Sequence, residues 1–304
     1  MPKKAFAWLL VPALGLGELG AHAYFSSRPP SPDEWKVGKA AVTELRKHGE
    51  VVVVAPDWAE PNARYAFGDA LMPLRDVARA DVTAYARAIE IGILGASSPE
   101  LHGWKLLEER TAGKLRLRVL QNPAPAHVTF DFADAVAGAT VVDVRDGAET
   151  PCPYTTTARR EAGGLHGDPA FPAARHVCPG ADAHFVGVTV VEDEQWRGRR
   201  CIWAEPVDGA ELVVRFHDVP LGTFLYGHGT LPWWIERELR GSPVEMRVLV
   251  DGEDLGTYEH RDGEGWRLFE LPLGKHAGKK ADVEFRISSH RCHDRQFCFE
   301  VDSR

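Results

Sequence analysis

The stretch LGTFLYGHGTLPWWIER, residues 221–237, holds the densest set of side chains able to recognise a ligand. Phe224, Tyr226, Trp233 and Trp234 offer flat apolar faces suited to the C–H face of a sugar ring. His228, Glu236 and Arg237 offer donors and acceptors for hydroxyl groups. The glycines among them mark an irregular connection that would present these groups at one end of a scaffold. The competing reading buries Trp233 and Trp234 as a plug in the end of a sandwich or against a second domain. Trp203 and Trp266 lie in strand-like runs and read as core.

The cysteines suggest a different chemistry. All five, Cys152, Cys178, Cys201, Cys292 and Cys298, fall in the second half of the chain. In an oxidising compartment they make two disulfides and one free thiol. Cys152 and Cys178 bracket a Pro/Gly/His-rich loop and are expected to pair. Cys201 and Cys298 sit on the first and last strands of the C-terminal block, with Cys292–Cys298 as the local rival. His166, His176 and His184 surround Cys178, and His290 and His293 flank Cys292. Neither group shows C-x-x-C or H-x-x-x-H spacing, and an oxidised pair cannot ligate zinc, so disulfides are the better reading. Asp251, Glu253 and Asp254 offer oxygen ligands for a structural calcium, although the same residues form turns. No other cofactor is expected.

Hydrolytic chemistry has a weaker basis. There is no Gly-x-Ser-x-Gly elbow. The 44 acidic residues supply carboxylate pairs almost anywhere, Asp218, Glu236 and Glu238 among them, and His217-Asp218 is the only pair beside the aromatic stretch. A glycan-acting hydrolase with its site at a domain seam is therefore a competing class, and a structural protein-interaction module is a third.

The chain has 304 residues, enough for two domains. At 44% hydrophobic and 26% charged it is globular, and a formal net charge of −8 without a basic stripe argues against nucleic acid. Lys3 and Lys4 precede a largely apolar run over 5–25 that ends in Ala21-His22-Ala23. That is the pattern of a signal peptide or a membrane anchor, with the bulk of the chain exported to the periplasmic or extracellular face. Residues 26–32 form a Pro/Ser linker.

The fold expected from these patterns is α/β followed by all-β. Over 33–121 a small α/β domain begins with a helix at 34–48, capped by Asp33, and a buried parallel-type strand at 50–55. Helices are expected at 76–90 and 99–110 and a strand at 114–120, with no nucleotide-binding motif. Over 126–304 an antiparallel β-sandwich carries the insertion 149–187. Strands at 201–207, 211–219, 244–252, 265–273, 281–289 and 297–304 follow at sandwich spacing, with period-two alternation in Val283, Phe285 and Ile287.

Two resemblances follow from quoted residues. Trp35 and its helix, HGEVVVVAP at 48–56, residues 89–94, Leu101 with Trp104, and residues 113–120 resemble the extracytoplasmic region of family 39 glycosyltransferases. The catalytic membrane domain of that family has no counterpart here, so the likeness implies an envelope protein in polysaccharide or glycoconjugate traffic without transferase chemistry. The block 126–304 resembles a galactose-binding-like jelly roll, which implies a carbohydrate or another envelope component as partner.

Overall fold

The computed structural model describes residues 3–47, 49–161 and 170–304 and divides into two compact units. Met1–Val77 with Tyr85–Pro125 forms the first; Ala78–Ala84 with Ala126–Arg304 forms the second.

In the first unit, helix α1 (Lys3–Ser27) precedes α2 (Pro32–Leu45). Among the described residues no helix is long and apolar enough to cross a membrane. Ser31, not Asp33, caps α2: its hydroxyl accepts from Glu34 N at 3.3 Å while the Glu34 carboxylate accepts from Ser31 N at 2.7 Å. Pro32 explains the shift, because its missing N–H is harmless in the first turn. A four-stranded sheet runs in the order β1 (Val51–Ala55), β2 (Arg87–Gly92), β4 (Leu115–Gln121), β3 (Lys105–Ala112). The valine run is fully buried and pairs parallel to β2, as a doubly covered strand should. Helices α2 and α3 (Glu60–Phe67) pack Trp35, Val42, Ala63 and Phe67 against Val52, Val54, Ile89 and Leu117.

Both later helices expected in this unit are replaced. Helix α4 stops after Leu74–Val77, and residues within 76–90 become β2 because Ala88, Ile89 and Ile91 gain more from burial beside β1 than from one helical face. The 99–110 segment makes one 3-10 turn at Pro99–Leu101, breaks at Gly103 (φ +82°) and continues as β3 on the edge of the sheet.

The second unit is a sandwich of two sheets. Its strands, in chain order, are β5 (Phe130–Asp131), β6 (Thr140–Arg145), β7 (Ala148–Pro151), β8 (Tyr154–Thr155), β9 (Arg175–Val177), β10 (Phe185–Glu192), β11 (Gly198–Ala204), β12 (Glu211–Pro220) and β13 (Phe224–Thr230). They continue with β14 (Val244–Val250), β15 (Glu253–His260), β16 (Arg267–Pro272), β17 (Lys280–Ser289) and β18 (Cys298–Ser303). One sheet runs β16-β13-β18-β11-β10-β9-β8 with β5 beside β18; the other runs β15-β14-β17-β12-β6-β7. Alternation decides the inner faces: Val214, Phe216, Val248 and Phe285 of one sheet meet Ile202, Leu225, Phe299 and Val301 of the other. Each such residue contributes about 1.5–3 kcal/mol on burial. The core also takes in Phe132 and Ala133 of the short helix α5 (Phe132–Ala135), which follows directly on β5.

Two disulfides hold this unit. Cys152–Cys178 closes the insertion, and Cys201–Cys298 links the neighbouring strands β11 and β18. Cys292 is left as a buried thiol that donates to Ser289 O at 3.4 Å, pushed up to about 11 by burial and then by Asp208.

Candidate functional site

The residues expected to form one binding loop are divided between two places. Phe224–Thr230 is not a loop: it is β13, hydrogen-bonded between β16 and β18. Its glycines serve close approach. A Cβ on Gly227 would lie 2.5 Å from Glu300 O and 2.6 Å from Phe269 Cζ, and one on Gly229 would lie 2.6 Å from Tyr258 Cε1. With Leu225 in the core, period two sends Phe224, Tyr226 and His228 to the outer face of the sheet. There the His228 ring stacks on Trp266 at 5.1 Å, and the Arg304 guanidinium lies 3.7 Å from the Tyr226 ring centroid.

That outer face is covered. Ala78–Ala84 is fastened across it: Trp266 Nε1 donates to Ala80 O at 3.1 Å, Arg200 N to Ala78 O at 2.7 Å, and Arg304 Nη1 to Thr83 Oγ1 at 2.7 Å. His228 is consequently 6% exposed and Tyr226 half-buried, so neither is available to a sugar. Phe224 is half-buried at the start of the same strand, 6.4 Å from Tyr226. Burial, with Arg199 and Arg304 nearby, pushes His228 down to about 4 against the pull of Asp81. Burial and then Asp302, Asp131 and Asp81 raise the Glu300 carboxyl well above its usual range. His228 Nδ1 lies 3.8 Å from Glu300 Oε2.

The helical half of the stretch, α6 (Trp233–Glu236), behaves differently residue by residue. Glu236 is fully buried and structural. Its Oε1 accepts from Leu231 N at 3.0 Å and lies 2.7 Å from His260 Nε2, while Oε2 accepts from Gly263 N at 2.7 Å. Such a satisfied carboxylate has no capacity left for a ligand. Trp234 is half-buried and packs on the sandwich core. Trp233, also half-buried, packs on Trp196 with ring centroids 4.1 Å apart and planes tilted by 34°, and exposed Arg237 lies 5.0 Å from the Trp196 ring and 5.1 Å from the Trp233 ring.

Trp196 was not among the residues singled out from sequence. It stands at the turn between β10 and β11, 55% exposed, with φ +63°. Asp193 builds that turn: its Oδ1 accepts from Gln195 N at 2.9 Å and Arg197 N at 3.0 Å. An Asp followed by polar residues and a lone Trp between two β runs was the available signal.

Next to Arg237 in sequence begins a cleft of about 390 Å³, lined by Glu238, Arg240, Ser242, Arg291, His293 and Asp294 among others. Asp262 organises its rim by accepting from Arg240 N at 3.0 Å and Gly241 N at 2.7 Å and by pairing with buried Arg295. Hydrogen bonding to these partners holds the Asp262 carboxyl below its ordinary range, although burial opposes this.

The metal candidates are otherwise engaged. His176 lies 2.9 Å from Val136 O and 3.2 Å from Cys152 O, and His184 Nδ1 2.9 Å from Glu205 O; His166 lies outside the described residues. Glu253 pairs with Lys275 and His276, Asp254 accepts from Gly256 N at 2.9 Å, and Asp251 accepts from Asp282 N at 2.9 Å. Among the described residues no group of three or more His, Cys, Asp or Glu is arranged to hold a metal. His217 and Asp218 occupy a β-bulge in β12 and do not act as a pair: His217 Nδ1 lies 3.0 Å from Asp282 Oδ2.

No family model and no curated protein matches this chain, the family 39 glycosyltransferases included. Solved structures that match this chain in part include CBM51 from Clostridium perfringens GH95 in complex with methyl-galactose, at 10% identity over 38% of this chain and 81% of that one, TM-score 0.28. The tandem CBM51 modules of a Streptococcus pneumoniae family 98 glycoside hydrolase match at 7% identity over 64% of this chain and 57% of that one, TM-score 0.29. The mannan-recognising carbohydrate-binding module TmCBM27 matches at 12% identity over 66% and 96%, TM-score 0.25. All superpose loosely, and none supplies an argument about a ligand here.

Proposed function

We propose that the sandwich unit binds carbohydrate and that the protein works outside the cytoplasm, as an exported binding protein of the cell envelope. One observation carries the binding reading: Trp196 is 55% exposed, packed at a tilt on Trp233 beside Arg237, in a turn built to hold it there. A large aromatic left half in water while held by Trp233 and Arg237 offers apolar surface to a sugar ring, with little ordering entropy left to lose. Export is supported by two disulfides, which persist in an oxidising compartment, and by the basic-then-apolar N-terminal segment, which would also serve as a tether if retained.

The test is a glycan-array screen of the oxidised full chain beside Trp196→Ala, with near-UV circular dichroism to establish that both are folded. Binding by the wild type that weakens about tenfold or more in the variant is expected, about 1.4 kcal/mol. A wild type that binds no glycan, or a variant that binds equally well, overturns the reading.

A further inference from the structure

Ala78–Ala84 lies on the outer face of the sheet much as a bound peptide would. Its successive carbonyls meet donors of the sandwich: Arg200 N donates to Ala78 O at 2.7 Å, Arg199 Nη1 to Arg79 O and to Ala80 O at 3.1 Å each, and Trp266 Nε1 to Ala80 O at 3.1 Å. Arg304 Nη1 donates to Thr83 Oγ1 at 2.7 Å, and Arg304 Nη2 lies 3.6 Å from Asp81 Oδ2. Asp81 Oδ1 accepts from Thr83 N at 2.7 Å and from Thr83 Oγ1 at 2.6 Å, closing the turn that Arg304 meets.

The sandwich aims these donors, not the strap. Arg199 Nε is held by Asp193 at 2.8 Å, and Arg304 by Asp302 at 2.7 and 2.9 Å. Each fork keeps its Nη1 for the segment laid over it, and a fork fixed in this way suits a carbonyl or carboxylate acceptor. The strap fits incompletely. Among the described residues, His228 Nδ1 and Glu300 Oε2 are buried without a hydrogen-bond partner. The strap also brings mostly small side chains, Ala78, Ala80, Val82 and Ala84, so hydrogen bonds do much of the holding. Such bonds exchange for those of a competing acceptor with little net change. A sugar fits this face poorly, because His228 and Arg199 lie on the Trp266 ring and Arg304 on the Tyr226 ring.

We propose that Ala78–Ala84 is an internal ligand, and that the face beneath it is a second binding site for an acidic peptide of another protein, with a carboxylate two residues before a hydroxyl. The incoming peptide displaces the strap and takes over its donors. This site is independent of the Trp196 platform and stands or falls without it.

The experiment uses the full chain and a labelled synthetic peptide of residues 76–86, DVARADVTAYA. Asp81→Ala with Thr83→Ala in the chain loosens the internal copy, and this variant should bind the peptide at least tenfold more tightly than the wild type. The same peptide carrying Asp81→Ala should bind the variant at least tenfold more weakly. Native-state hydrogen exchange on the wild type reads the strap directly, because the Arg200 and Ala126 amides donate to Ala78 O and Thr83 O. Both should exchange at least tenfold faster than the amides of β13, through local opening. Exchange of both only at the rate of global unfolding overturns the proposal, and this reading holds even if the variant fails to fold. A folded variant that binds no peptide also overturns it, as does one that binds a neutral galacto-oligosaccharide and not the peptide.

Discussion

Two aromatic groups on the sandwich unit are built from the same residue types. Tyr226, His228 and Trp266 lie with Arg304 and Arg199 on the outer face of one sheet; Trp196 and Trp233 lie with Arg237 at a turn and a short helix. In the first, Trp266, Arg200 and Arg304 donate to Ala78, Ala80 and Thr83, and the chain itself occupies the place of a ligand. In the second, Asp193 satisfies the turn internally and Trp196 stays 55% exposed. Aromatic composition with nearby arginine does not distinguish a platform from a covered face; what the backbone lays over it does.

Several measurements would break or sharpen this contrast. The largest effect is expected between two neighbours at the end of α6, its last residue Glu236 and its C-cap Arg237. Glu236→Ala leaves His260 and two N–H groups without their acceptor and should cost about 3–5 kcal/mol, seen as a lowered urea midpoint. Arg237→Ala should stay within about 0.5 kcal/mol and act on binding instead.

Trp266→Ala should cost about 2–4 kcal/mol through lost packing on His228 and a lost bond to Ala80, while Trp196→Ala should change the unfolding midpoint little. If Trp196→Ala destabilised as much as Trp266→Ala, the open platform would be structural after all.

The covered face should also show in acid. His228 titrates near 4 when folded and near 6.5 when unfolded, so the unfolded chain takes up a proton first as pH falls. Stability attributable to His228 is present above 6.5 and lost between 6.5 and 4, by about 3 kcal/mol at most. Comparing wild type with His228→Gln at pH 4.5 and 7.5 isolates it from Glu300, whose raised value acts in the opposite sense.

Glu205 should give the smallest effect, of opposite sign. Burial and then Asp294 raise its carboxyl from 4.5 to about 7, so the folded state holds the proton longer, and stability falls as pH rises from 4.5 through 7. Glu205→Gln should gain about 2 kcal/mol over the wild type at pH 8 and little at pH 4. Equal differences at both values would exclude titration as the cause.

Legibility varied with the period of the pattern. Strands such as β14 and β17 could be read from Met246, Val248 and Val250 or Val283, Phe285 and Ile287, because one face is buried and the other wet. The 76–90 and 99–110 segments read as helices because their apolar residues also suit one helical face, and only pairing with β1 and β4 made strands of their later parts, from Arg87 and from Lys105. The Gly-rich run 224–230 was misread as a loop because glycine signals both a turn and a close approach, and Phe269 and Tyr258 opposite it cannot be seen locally.

By itself, then, the sequence determined the sandwich, the presence of disulfide chemistry and the strand faces, since alternation, cysteine number and burial preference act over a few residues. Only the tertiary structure decided that Cys201 rather than Cys292 pairs with Cys298, that Glu236 is spent on His260 and Gly263, and that Trp196 joins Trp233 from 37 positions away in the 304-residue chain. Those outcomes depend on which strands become neighbours and which backbone segment crosses a face, and both follow from the packing of the whole unit.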